Sequence, residues 1–592
     1  MKLAIDILEE RISTAMAAAT GCDDCAAIVR PSTDPRFGDY QANGVMALAK
    51  KLKTNPCKLA EDVVGNLDLS DICEPPEVAG PGFINLRLKP DFLADRLLEI
   101  NRHIVSLGID KAAVPKTIVV DFSSPNIAKQ MHVGHLRSTI IGDCICRVLE
   151  FLGHKVIRQN HVGDWGTQFG MLCARLNEKV LEASEGEGLL NVSRTLEDLE
   201  QFYKEAKLRY DTNEEFRATA HDAVRGLHNG ETFWINEWKD IVRESRKHYL
   251  PIYRMLKVDL TEKDERGESE YNSDLPDIVD ELKKQGLAKE SDSAICVFPP
   301  GFKNKEGQPL PFIIQKSDGA YLYATTDLAA LRYRVNELKA NAIIYVTDAR
   351  QKLHFEMLFA VAKMAKWVSD NIELSHVMFG SILGDDGTPL KTRAGENVKL
   401  KELLDEAVER AKKIVEEKNP ELSPDKKEQI AKAVGIGAVK YADYSNNRTS
   451  DYVFSFDKML AMDGNTAPYM QYAYARIKSI ERKAQTKKVD IEDELKEIEA
   501  LDLTDPAELD LAKYLIRYGE SIQTAAADYR PNYLTAYLYE LAQKFSAFYT
   551  NCPVLKAKPD KRPTRLLLCD LTAKTIKHGL SELLGIEVVE QM

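Results

Sequence analysis

No apolar stretch in the 592 residues is long enough to cross a bilayer, because charge interrupts each one within about a dozen positions. A secretory leader is not expected either. The opening "MKLAIDILEERISTAMAAAT" sets Asp6, Glu9 and Glu10 inside its apolar repeat and reads as an amphipathic helix. The 10 cysteines are scattered without a disulfide framework, as expected of a protein kept in the reducing cytoplasm. Cys22 and Cys25 have the spacing of half a zinc site, but no second pair lies near them, so zinc is not expected there. A basic excess is absent as well: 80 Lys and Arg stand against 92 Asp and Glu, for a net charge of −12. That excludes a nucleic-acid binder working by bulk charge and leaves room for one with local basic surfaces. There is no internal repeat. What is present is ordinary globular composition, 44% apolar and 29% charged, in a chain long enough for about two to four domains.

Residues 1–110 combine helical patterns with "RFGDYQANGVMALAKKL" (36–52) and "VAGPGFINLRL" (78–88), where Gly-Pro-Gly leads into an alternating strand. This reads as an α+β module, followed by a linker, "GIDKAAVPK" (108–116). "TIVVDFS" (117–123) has the continuous apolar character of a buried parallel strand, stopped by Pro125. Leu136, Ile140, Ile141, Val148, Leu149 and Leu152 then form a helical stripe, and Gly153 fits its end. "HKVIRQN" (154–160) is the next strand, which completes a βαβ unit. The same alternation returns with "AIIYVTD" (342–348), a helix from about 352 to 367, and "HVMFGSIL" (376–383). A long insertion at about 170–325 carries acidic loops and a hairpin over "AICVFPP" and "LPFIIQK". From 401 to 592 the pattern is almost wholly helical. The expected architecture is a split nucleotide-binding α/β domain over 111–400, between an N-terminal module and an all-helical bundle.

Ligands of open parallel sheets sit beyond the carboxyl ends of the strands, where Asp121 to His135 fall. His132 and His135 are one helical turn apart at the mouth of a helix, whose free N–H groups attract phosphate. Gly134 between them lets a base or sugar approach the backbone. The functional reading is a nucleoside triphosphate, with both imidazoles donating to oxygens that gain charge in the transition state and Lys129 adding a cation. The competing reading is two surface histidines capping a helix.

"HVGHLRSTIIGD" resembles the His-Ile-Gly-His signature of class I aminoacyl-tRNA synthetases. The longer strings "VVDFSSPNIAKQMHVGHLRSTIIGD" and "GHKVIRQNHVGDWGTQFG" resemble the arginyl-tRNA synthetase family, as do "YLYATTDLAALRYR", "NTAPYMQYAYARI" and "FGDYQANG". The resemblance covers essentially the whole chain. It implies a Rossmann-like catalytic domain and a ligase that makes arginyl-adenylate from L-arginine and ATP, releases pyrophosphate, and transfers arginine to the 3′ end of tRNA(Arg). It also implies Mg²⁺ carried by ATP and no protein-bound metal. No membrane is involved, and a monomer is expected.

Carried over residue by residue, the resemblance gives Asp121, Ser123, Asn126, Tyr323, Asp327 and Gln351 to the arginine pocket. Acidic groups suit it, because guanidinium is a planar fork that carboxylates match at two points. For Asp327 a helix-start charge is the competing reading. Gly163, Asp164 and Gln168 join the histidine signature on the ATP side. The second class signature, Lys-Met-Ser-Lys-Ser, is departed from: in "GDDGTPLKTRAGENVKL", Pro389 and Thr392 stand at the two lysine positions. Lys391, Arg393 or Lys129 is left to help the leaving phosphates. On the tRNA side the resemblance places Tyr469, Tyr472, Arg476 and Met592 near the anticodon, and Phe37, Gln41 and Asn43 near the elbow. A core tyrosine stripe is the competing reading of the first set. A HxGH-type nucleotidyltransferase is the alternative enzyme, and it would need neither "HVGDWG" nor an acidic pocket.

Overall fold

The computed structural model describes residues 1–127, 129–187, 199–392, 397–486, 489–496 and 498–592. The chain divides into two compact units, one of residues 112–414 with 435–459, the other of residues 1–111, 415–434 and 460–592.

The first unit is built on four parallel strands. Thr117–Asp121 and Ala342–Tyr345 are central, with Lys155–Gln159 beside the former and Glu373–His376 beside the latter. The two central strands are buried almost throughout, which explains their unbroken apolar sequence. Chain order runs outward on both sides from the central pair, so a topological switch point lies beyond Asp121 and Tyr345, which are partners in register. The helix Val133–Phe151 connects the first two strands and is buried on several faces, with Tyr444 donating to its Ile140 carbonyl at 2.9 Å and Asp443 pairing with its Arg137 at 3.0 Å.

The insertion supplies the helices Thr167–Glu187, Leu199–Thr212, Glu214–His228, Thr232–Met255 and Leu275–Lys284. It also forms an antiparallel sheet of Ala288–Ser291, Ala294–Val297 and Phe312–Gln315, so the expected hairpin is there with a third strand and a bulge at Ile295 and Cys296. One expectation is corrected. The strand read over 376–383 ends at His376 and begins earlier, at Glu373. Val377 still donates to the Tyr345 carbonyl at 2.8 Å, but Gly380 donates to Arg448 O at 2.9 Å, and Ile382–Leu383 pairs with Tyr452–Val453 instead. Apolar alternation continues through the segment because both halves are buried, and it gives no sign of the change of partner.

In the second unit, four short antiparallel strands in the order Val29–Pro31, Tyr40–Ala42, Phe83–Leu86, Glu77–Ala79 pack with helices that include Ala4–Thr20 and Pro90–Arg102. The remainder is helical, from Ala467–Thr486 to Arg562–Lys577. Within this unit Tyr40 bonds Glu520 at 2.5 Å, and Asp39 pairs with Lys513 at 2.9 Å, which ties the "FGDY" turn to the C-terminal helices.

Candidate active site

His132 caps the helix Val133–Phe151 with extended backbone, and its Nδ1 accepts the Gly134 N–H at 3.1 Å. Only the tautomer protonated at Nε2 can do this, so the outward nitrogen of His132 is a donor. His135 folds back, with Nδ1 3.2 Å from His132 N, and the two ring centres are 4.1 Å apart. Burial, aided by Lys129, holds His132 below the ordinary imidazole range. Burial and the neighbouring His132 push His135 down to about 4. The pair is therefore neutral near pH 7 and offers hydrogen bonds without bringing positive charge. Gly134 is required by space: a Cβ there would lie 2.8 Å from His132 Cε1 and push the ring out of place.

The loop compared with the second signature is fastened to this cap. Val133 N donates to Val398 O and Leu400 N to Met131 O, both at 2.9 Å. Lys391 is exposed and bridges Asn397 by backbone. Arg393 lies outside the described residues. Lys129 is exposed, with Nζ 4.5 Å from the Tyr203 ring centre.

A second group, of acids, gathers around His161 at the end of the strand Lys155–Gln159. Asp327 is the fifth residue of the helix Tyr323–Asn336, too far along to be an N-terminal cap. Its carboxylate instead accepts His354 Nε2 at 2.7 Å and lies 3.9 Å from His161 Nε2. Glu268 joins it. Burial, then the charges of Asp327 and Asp164, push its carboxyl up to about 8. Glu268 was not singled out from sequence, since it sits in an irregular part of the insertion with no periodic pattern. Backbone pairing brings it in: Arg266 N donates to Asn160 O and Glu268 N to Val162 O, both at 3.1 Å, so "ERGE" runs beside "NHVGD". Asp164 fixes this pairing from below. It is buried and accepts Ser269 N at 2.9 Å and Ser269 Oγ at 2.7 Å, and a side chain at Gly267 would collide with it.

The other expected pocket residues are placed differently from one another. Asp121 is buried, with Oδ2 2.7 Å from Arg334 Nη2 and Oδ1 accepting Ser124 Oγ at 2.9 Å. Arg334 also bonds Gln159, and its guanidinium lies 5.0 Å from the Tyr345 ring. The Asp121 charge is thus engaged inside the protein, whereas Asp327 and Glu268 have no Lys or Arg partner among the described residues. Ser123 is buried against Tyr253 and Thr139. Asn126 is exposed and bridges Gly163, whose N–H donates to Pro125 O at 3.1 Å. Tyr323 is 68% exposed at the rim, its ring 6.0 Å from His354. Gln351 is exposed at the end of the turn Ala349–Gln351, three residues before His354, and Arg350 beside it pairs with Asp348. Gln168 is half-buried at the start of the helix Thr167–Glu187.

In the second unit a cavity of about 370 Å³ is lined by Tyr472, Arg476, Arg482, Leu422 and Met592. Arg476 lies 4.5 Å from the Tyr549 ring and has no carboxylate partner among the described residues. Tyr469 turns away, edge-on to Tyr539 at 5.6 Å. The proposed stripe is therefore divided, one tyrosine packed and one open. Phe37 is 43% exposed beside Arg36, Gln41 donates to Asn85 Oδ1 at 2.8 Å, and Asn43 is half-buried.

Residues 100–456 match the family described as tRNA synthetases class I (R), catalytic domain. Residues 470–592 match the DALR anticodon binding domain, and residues 6–88 the arginyl tRNA synthetase N terminal domain. An arginine–tRNA ligase of Synechococcus sp. is 51% identical over 592 residues, covering 99% of each chain. One of Hahella chejuensis is 49% identical over 586 residues, again 99% of each. The crystal structure of arginyl-tRNA synthetase from Plasmodium falciparum aligns over 100% of both chains, with a TM-score of 0.84 and 32% identity.

The chain belongs to the class I arginyl-tRNA synthetases.

It is accordingly a ligase, and the nucleotidyltransferase alternative is not favoured. The histidine cap follows the strand Thr117–Asp121, and Asp327 and Glu268 gather near His161, after the neighbouring strand Lys155–Gln159. No helix among the described residues is long and apolar enough to cross a membrane.

Proposed function

We propose that arginine is activated at the switch point of the parallel sheet. The observation that carries the reading is the convergence of Asp327 and Glu268 beside His161, just past the carboxyl end of the strand Lys155–Gln159. A guanidinium is the cation that two carboxylates hold best, by paired charge-assisted hydrogen bonds. Tyr323 and Gln351 close the rim around it, and Asn126 meets the amino-acid backbone. ATP lies toward the histidine cap with its Mg²⁺, which enters with the nucleotide. The Nε2–H groups of His132 and His135 donate to phosphate oxygens as the arginine carboxylate attacks the α-phosphorus and pyrophosphate leaves. A cation from Lys391, Arg393 or Lys129 steadies the leaving group. The terminal ribose hydroxyl of tRNA then attacks the adenylate carbonyl, and AMP departs. Asp164, Ser123 and Asp121 act through the residues they hold.

The cavity bordered by Tyr472, Arg476 and Met592 takes a splayed base of the anticodon loop, with Tyr472 as a stacking face. Residues 1–110, with Phe37 outermost, meet the tRNA elbow, and the catalytic domain spans 111–400. The enzyme acts as a monomer in the cytoplasm. Exchange of labelled pyrophosphate into ATP, measured with tRNA(Arg) and with or without arginine, tests the reading. Exchange that never depends on arginine overturns it.

A further inference from the structure

Ser123 and Ser124 both have positive φ, 69° and 46°. Neither is glycine, and left-handed backbone is disfavoured for a residue with a side chain. Two in a row, between the end of the first strand and Asn126, persist only if the surroundings hold them. The surroundings do. Ser123 N donates to Ser138 Oγ at 2.9 Å, and Ser124 N to Asn160 Oδ1 at 3.0 Å. Ser124 Oγ donates to Asp121 and accepts His161 N at 3.1 Å.

The hydroxyl of Ser123 sits in a chain whose direction can be worked out. Thr139 Oγ1 donates its single proton to His135 O at 2.7 Å. Ser123 Oγ, 2.9 Å from Thr139 Oγ1, must therefore donate to it. Its proton is then used, so Tyr253, 2.8 Å away, donates to Ser123. The Tyr253 oxygen is left to accept Asn160 Nδ2–H at 3.2 Å. The order is Asn160, Tyr253, Ser123, Thr139, His135, every hydroxyl donating once and accepting at least once. Bonds ordered in one sense polarise one another, and a break at any link weakens the rest. One end holds, through the second amide atom of Asn160, the turn that presents Asn126 and His161. The other end is the main chain of the histidine cap. Tyr253, 1% exposed, reaches this position from the insertion helix Thr232–Met255.

We infer that Tyr253 is a positioning residue, whose hydroxyl locks the arginine-side turn to the histidine helix and so keeps the two substrates aligned. The inference rests on the assignment of arginine and ATP to this end of the sheet.

The test uses the full-length enzyme as wild type, Tyr253→Phe, Ser123→Ala and the double variant, in tRNA-dependent pyrophosphate exchange. Tyr253→Phe keeps the ring and removes one hydroxyl. Its kcat/KM for arginine is expected to fall about tenfold or more, with KM for ATP within about twofold and the melting temperature within about 3 °C of wild type. The double variant is expected to be no more than about twofold worse than the worse single one, because both break the same chain. An unchanged kcat/KM for arginine, additive losses, or losses for arginine and ATP that merely follow a lowered melting temperature would each overturn the inference. If wild type itself shows no arginine-dependent exchange, that assignment fails and the inference with it. Exchange that is normal in wild type and in Tyr253→Phe sinks the inference alone.

Discussion

The carboxylate of Asp327 is bracketed by two imidazoles, His354 Nε2 at 2.7 Å and His161 Nε2 at 3.9 Å, which reach it from separate segments of the chain. This fixes where its oxygens point and gives the acid a direction that its place on a helix would not. Replacing Asp327 with Asn keeps the shape and removes the charge. Loss of one charge-assisted bond is worth about 1.5–3 kcal/mol, so KM for arginine should rise about ten- to a hundredfold with KM for ATP little changed. Steady-state exchange kinetics with each substrate varied decide it. An equal rise for ATP would place the residue elsewhere.

Glu268 makes arginine uptake sensitive to pH. Its carboxyl is pushed up to about 8 in the free protein, so it is largely protonated at neutral pH and must lose that proton to meet a guanidinium. KM for arginine should therefore fall as pH rises from about 6.5 toward 8, by up to about tenfold per unit, and level off above. Glu268→Gln should raise KM and flatten the profile. The sign for stability is opposite. A carboxyl whose folded pKa is raised costs the fold stability as pH climbs from its unfolded value of 4.5 to the raised value, and the loss is complete above it, so the Gln variant without substrate should melt higher than wild type at pH 9. Calorimetry at pH 6 and 9 reads the difference.

His135 should show no titration near pH 6.5. Burial and the neighbouring His132 hold it down at about 4, so it stays neutral through the working pH. NMR titration of its ring resonances should show no inflection between pH 6 and 8. His135→Asn should slow adenylate formation by about 2.7–4 kcal/mol, as for loss of one transition-state donor, with tRNA affinity intact. Single-turnover measurements alongside a filter-binding titration separate the two effects.

Tyr472 and Arg476 should act on tRNA alone. Stacking of one base contributes about 1–3 kcal/mol, so Tyr472→Ala should raise KM for tRNA about five- to a hundredfold and leave KM for arginine unchanged. Tyr469→Phe, packed on Tyr539, should change little. A shift in arginine affinity from Tyr472→Ala would remove that residue from the tRNA surface.

The framework of the catalytic unit was legible because its signals are local. Apolar runs mark the strands over Thr117–Asp121 and Ala342–Tyr345, and the helical stripe after His135 marks the crossover. The histidine pair could be located from spacing, and the family resemblance pointed to Asp327. What spacing could not supply was partnership across the chain. Asp121 lies 213 residues from the Arg334 that engages it, and Glu268 reaches the site through backbone pairing with Asn160 and Val162. Neither relation leaves a period or a motif. The choice between cap and pocket for Asp327 turned on a helix start that alternation alone does not define to within a residue or two.

The buried contact of Arg334 with Asp121 joins the end of the central strand to a helix on the far side of the insertion. Neither partner tolerates loss of the other, since an orphaned interior charge costs about 3–5 kcal/mol. A scan that varies one position at a time will score both as immutable, although they face each other. Simultaneous replacement by a neutral pair of matching volume is the route by which such positions drift, so intolerance of single changes here reports wiring and not chemistry.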